Sequence, residues 1–143
     1  MAKQYELDSG TLRIGRIMSW MARRGIGKVQ VLTTTGRNSG EPRSVPVSPI
    51  VVDGVEYLVC PYGEMGWVHN ARANPGASLR HGSNDRQIRL TEAGGDAAAK
   101  VVAAYYAREG YASQYMDVPE NPTVADFAEK TELFPVFEVN EPN

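Results

Sequence analysis

The sequence predicts an α+β domain, an antiparallel sheet or small β-barrel with peripheral helices. Three observations lead there. Roughly six short segments alternate apolar and polar residues with the period of a half-buried strand. Asp53-Gly54 joins two of those segments with a strong short-range hairpin signal. The strand–helix alternation of a doubly wound sheet is missing, and so is any G-x-G-x-x-G or P-loop pattern.

The elements follow in order. Residues 11–24 place Ile14, Ile17, Met18 and Met21 on one helical face and Arg13, Arg16, Arg23 and Arg24 on the other, and Gly25 and Gly27 stop the helix. Such a basic amphipathic helix can lie on a membrane surface or dock on its own domain; the narrow apolar stripe favours docking. Strands are expected at 29–34 (VQVLTT), 44–52 (SVPVSPIVV) and 55–60 (VEYLVC), with Pro46 and Pro49 kinking the second or confining it to an edge. WVHNARANP (67–75) reads as a short helix ended by Pro75. ASLRHG (77–82) and RQIRLTEA (86–93) pair around Ser-Asn-Asp, and a helix rich in alanine runs from Asp96 to about Arg108. Thr123-x-x-Asp126 caps another short helix, and FPVFEVN (134–140) closes as a strand.

Bulk properties bound the function. The 143 residues favour one domain, spanning 1–143. No stretch approaches the ~20 apolar residues of a membrane span, and MAKQYELDSG lacks the apolar core of a signal peptide. The lone cysteine, Cys60, fits a reducing compartment, so a cytoplasmic place is expected. With two histidines and one cysteine, no His/Cys metal site is expected. Net charge is −2, unevenly spread: residues 1–90 carry +5 and residues 91–143 carry −7. A basic half suits an anionic ligand, and an acidic half argues against nucleic acid, as does the lack of aromatics among the basic residues.

The stretch Thr33–Ser44, TTTGRNSGEPRS, concentrates what an anion site needs. Gly36 and Gly40 permit close backbone approach and left-handed turns. The threonines and Ser39 offer hydroxyls, while Arg37 and Arg43 offer guanidinium forks that grip an oxyanion. A polar hairpin loop with surface arginines is the plainer reading of the same residues.

LTTTGRNSGEPRSVPV, DGVEYLVCPYG and WVHNARANP together, in this order and spacing, resemble the deazaflavin (coenzyme F420)-dependent nitroreductase family. The resemblance covers about residues 28–82 and is looser after 95. It implies an FMN-binding-like split β-barrel and coenzyme F420, a deazaflavin with a phosphate and an acidic tail. It implies that Thr35, Gly36, Arg37, Asn38, Ser39 and Arg43 hold the phosphate. Asn38 stands where that family usually has lysine, which shifts weight onto the two arginines. The resemblance puts Pro46, Val47 and Ser48 on one side of the ring and Cys60, Pro61, Tyr62 and Gly63 on the other, with Gly66 and Trp67 at a helix start. Trp67 serves core packing equally well, and Asn70 reads as a cap or structural hydrogen bond rather than a contact. His69 and His81 are weak catalytic candidates. The substrate wall falls to Tyr111 and Tyr115 among the late aromatics.

The implied chemistry is hydride transfer from reduced F420 to an electron-poor small molecule: an activated C=C bond in an enone or lactone, or a nitroaromatic. Water, Ser48 or a pocket tyrosine supplies the proton. FMN or haem in the same barrel is the alternative, and a non-catalytic cofactor or lipid carrier is a third reading. A monomer or weak dimer, at most weakly associated with a membrane surface, completes the expectation.

Overall fold

The computed structural model describes residues 28–60, 63, 65–108, 123–128 and 133–142. Its strands are β1 (Gln30–Thr35), β2 (Pro42–Val47), β3 (Ile50–Val52), β4 (Val55–Val59), β5 (Gly76–His81), β6 (Asn84–Ala93) and β7 (Val136–Asn140). Its helices are α1 (Gly66–Ala73), α2 (Gly95–Arg108) and α3 (Val124–Ala128). The helix expected over 11–24, and with it Arg13, Arg16, Arg23 and Arg24, lies outside the described residues, as do Pro61, Tyr62, Tyr111 and Tyr115.

The seven strands form one antiparallel sheet in the order β2-β1-β5-β6-β7-β4-β3. Its two outermost strands, β2 and β3, are consecutive in the chain and separated only by Ser48 and Pro49. A flat sheet would put five strands between them and hold them roughly 29 Å apart, at ~4.8 Å per spacing. Two residues cannot bridge that distance, so the sheet curls until its edges meet. The seam is covalent, through the chain, rather than a ladder of hydrogen bonds. The result is the FMN-binding-like split barrel.

The long strand expected over 44–52 is therefore two strands, and the reason is local. Pro46 and Pro49 donate no N–H, and Ser48-Pro49 turns the chain from one edge to the other. Arg108, the last residue of α2, clasps this joint: its Nη2 donates to the Ser48 carbonyl and its Nη1 to the Pro49 carbonyl, both at 2.8 Å. The same guanidinium lies 5.6 Å from the Tyr105 ring centroid.

The hairpins follow turn chemistry. Asp53 (φ 53°) and Gly54 (φ 79°) both take positive φ, as a type I′ turn requires. The β5–β6 turn is Gly82-Ser83 rather than Ser-Asn-Asp, because His81 pairs with Asn84 and Gly82 takes the positive φ (63°). Thr123 and Asp126 form the expected reciprocal cap of α3: the Thr123 N–H donates to Asp126 Oδ2 (2.7 Å) and the Asp126 N–H to Thr123 Oγ1 (3.4 Å).

Period-two alternation feeds two cores. Leu58 and Phe137 face α1, joining Leu32, Trp67, Val68, Leu79 and Ile88. Their chain neighbours Val59 and Val136 face α2 and α3, joining Val101, Val102, Phe127 and Phe134. On α2, Ala98, Ala99, Val101, Val102 and Tyr105 form the stripe that covers this second face. Among the described residues no helix is long and apolar enough to cross a membrane.

Candidate functional site

The β1–β2 connection, Gly36–Glu41, is a structured loop. The Gly36 N–H donates to the Glu41 carbonyl (2.8 Å), the Gly40 N–H to the Gly36 carbonyl (2.9 Å), and the Glu41 N–H to Ser39 Oγ (3.1 Å). Gly40 takes φ 72°, the left-handed region open to glycine. A Cβ on Gly36 would come within 2.6 Å of Ser39 Oγ and 3.1 Å of the Glu41 carbonyl oxygen, so this tight fold needs glycine there.

The loop is fastened to α1 by Asn70. Asn70 Oδ1 accepts from the Arg37 backbone N–H (3.1 Å) and from Arg37 Nη1 (2.9 Å), while its Nδ2 donates to Thr34 Oγ1 (3.3 Å). Asn70 and Thr34 are buried, at 5% and 2% exposure. Arg43 is the register partner of Thr34 across the β1–β2 ladder, on the inward-facing parity that Val45 and Val47 share. The two arginines thus flank one buried hydrogen-bonded pair.

Arg37 Nη1 also donates to the Gly66 carbonyl at 3.4 Å, at the start of α1. That helix end carries no acidic residue in its first turn and no side-chain cap. The first helical donor is the Val68 N–H, to the Met65 carbonyl (3.0 Å), so the Gly66 and Trp67 N–H groups precede the helical ladder. A guanidinium held at the positive end of a helix is unfavourable by itself, and an anion between them reverses the sign.

An open cleft of about 740 Å³ lies over this ground, walled by the loop, by Pro42–Val45 of β2, and by Met65, Gly66, Trp67 and Asn70. Its described lining holds two guanidiniums and no carboxylate. Val45, Met65 and Trp67 add an apolar side. The donor set fits a phosphate, and the apolar side fits an adjoining ring.

The expected site residues divide. Gly36, Arg37, Asn38, Ser39, Arg43, Gly66 and Trp67 come together in the cleft wall, with Ser44 added. Trp67 is mainly a core residue: it is 8% exposed, with its ring centroid 5.5 Å from that of Phe137. Thr35, Pro46, Val47, Ser48, Cys60 and Gly63 are not in that wall. Ser48 is buried at the seam, and Cys60 donates its Sγ–H to the Gly63 carbonyl (2.9 Å) and its N–H to the Pro135 carbonyl (2.9 Å). Pro46 has no N–H to offer a ring. Thr34 is the site residue that sequence reading left in the background; its hydroxyl, buried beneath the arginines, anchors Asn70. Among the described residues no cluster of His, Cys, Asp or Glu could hold a metal ion.

The family model described as F420H(2)-dependent quinone reductase matches residues 14–137. The chain belongs to that family. Membership makes this reductase an oxidoreductase of the F420-dependent kind. A search of curated proteins finds no match. Among solved structures, an F420-H2 dependent reductase (FDR-A) is 22% identical, with 79% of this chain and 94% of that chain covered and a TM-score of 0.52. HutZ, the heme storage protein from Vibrio cholerae, is 12% identical, with 90% and 89% covered and a TM-score of 0.55. An FAD-binding protein from Mesorhizobium loti is 15% identical, with 85% and 86% covered and a TM-score of 0.51. At these identities the likeness is one of fold.

Proposed function

We propose that this family member binds coenzyme F420 in the cleft and passes its hydride to electron-poor small molecules: quinones, activated C=C bonds of enones and lactones, or nitroaromatics. The observation that carries this reading is the meeting of Arg37, Arg43 and the uncapped start of α1, with no carboxylate among the described lining residues. Arg37 and Arg43 hold the phosphate, with Ser39 as a hydroxyl donor and the Gly66 and Trp67 N–H groups at its edge. Val45, Met65 and Trp67 cover an aromatic face and keep water from it. Pro46, Val47, Ser48, Cys60 and Gly63 border the ring farther from the phosphate.

Reduced F420, when bound, supplies the hydride. The protein supplies orientation and an acceptor slot that selects by stacking. The proton that completes reduction of an activated C=C bond comes from water, the Ser48 hydroxyl, Tyr111 or Tyr115. Cys60, buried and the lone cysteine of the chain, fits a cytoplasmic place. A solved structure of this fold is described as a domain-swapped dimer, and we assign this chain a monomer or weak dimer.

The test is a fluorescence titration of the purified protein with F420 and, separately, with FMN. Tighter binding of F420 is expected, since its acidic tail adds charge for a basic first half. Tight FMN binding without F420 binding would put a flavin in the slot instead.

A further inference from the structure

We propose that Asn70 is the positioning residue of the anion site: it touches neither phosphate nor ring, and acts by aiming Arg37. The inference rests on the cofactor reading above.

An arginine on a loop tip is ordinarily a poor binding group, because a long side chain loses rotamer freedom when it engages a ligand. Arg37 has already lost much of that freedom. One oxygen, Asn70 Oδ1, takes both its backbone N–H and its Nη1, fixing the two ends of the side chain. The Gly66 carbonyl takes Nη1 as well, at 3.4 Å. With Nη1 engaged on the α1 side, the remaining guanidinium donors are left for the cleft that Arg37 lines.

Asn70 is itself held. Its Nδ2 is committed to Thr34 Oγ1, which fixes which amide atom faces Arg37. At 5% exposure the amide has little water to exchange with. A neutral acceptor is the right choice here. An aspartate would hold Arg37 equally well but cancel its charge, whereas asparagine orients the guanidinium and leaves it cationic for the anion. The chain Thr34–Asn70–Arg37 therefore links the β1 backbone, helix α1 and the loop into one preorganised donor.

The test is a double-mutant cycle read by F420 fluorescence titration, with thermal unfolding followed alongside. Asn70→Ala should weaken F420 binding about tenfold, the loss of an oriented charge-assisted contact. In an Arg37→Ala background the same substitution should change binding less than about twofold, because the group it aims is gone. Asn70→Asp covers the case in which the alanine variant does not fold. It should keep the thermal midpoint, weaken binding as much as Arg37→Ala does, and flatten the salt dependence. A deazaflavin lacking the phosphate should bind wild type and Asn70→Ala alike.

Additive effects of Asn70 and Arg37, or an Asn70→Asp protein that binds F420 like wild type, would overturn the proposal while leaving the cofactor reading intact. A wild type that binds neither F420 nor FMN overturns both.

Discussion

Asn70 Oδ1 lies 2.9 Å from Arg37 Nη1 and 3.1 Å from the Arg37 backbone nitrogen, so one buried amide oxygen fixes both ends of an exposed arginine. The residues are 33 apart in sequence, and their contact ties the β1–β2 loop to the first turns of α1. This junction is where the charge of the cleft concentrates, and most of the predictions bear on it.

Removing either guanidinium should weaken F420 binding. Arg43→Ala and Arg37→Ala are each expected to cost about 1.5–3 kcal/mol, the usual range for a hydrogen bond to a charged group. Binding should fall as salt rises, less steeply in either variant than in wild type. Titrations at two ionic strengths check this; two variants that bind like wild type would reduce the loop to a surface turn.

Gly66→Asp should separate stability from binding. A Cβ at Gly66 meets nothing within 4 Å, so the side chain is accommodated. Its carboxylate would face the positive end of α1, adding about 0.3–1 kcal/mol to stability, while its charge repels a phosphate from the same place. The expected result is an unchanged or raised thermal midpoint with lost F420 binding. A variant that binds normally would remove α1 from the anion site.

Gly36→Ala should damage the loop. The new methyl group falls 3.1 Å from the Glu41 carbonyl oxygen, a backbone atom held by its own hydrogen bond to the Gly36 N–H, and closer still to Ser39 Oγ. Serine can rotate away; the carbonyl cannot move without opening the hairpin. A stability loss of about 1–3 kcal/mol by urea unfolding is expected, together with weaker cofactor binding.

Arg108→Ala should loosen the barrel seam. Two charge-assisted bonds to the Ser48 and Pro49 carbonyls disappear, for an expected loss of about 1.5–3 kcal/mol by chemical denaturation. Lysine cannot reproduce the fork, so Arg108→Lys should restore only part of it. Full stability in Arg108→Ala would show that the chain connection alone closes the sheet.

NADPH alone should support no reduction, since the chain has no dinucleotide fingerprint. Pre-reduced F420 with a quinone or an activated enone should be oxidised stoichiometrically, followed by its absorbance. Tightly bound reduced cofactor that survives a broad panel of acceptors would favour a carrier.

Much of this was legible in the sequence because its signals are local. Alternation at β1, β4, β5 and β6, the Asp53-Gly54 turn and the Thr123–Asp126 cap each depend on a few neighbouring residues. The glycines of TTTGRNSGEPRS likewise announced a tight loop, because close backbone approach is a property of residue type. Tertiary structure alone decided the rest. The break at Ser48-Pro49 makes two opposite edges consecutive only if the whole sheet curls, and a strand cannot report its sheet neighbours beyond the turn that joins it. Trp67 packs on Phe137 because α1 lands on that face, 70 residues from its partner. Asn70 could be read as a structural hydrogen bond, but not as the group that holds Arg37: a hydrogen bond between residues 33 apart is set by how α1 docks on β1, and that docking is fixed by burial of the whole core rather than by any segment of it.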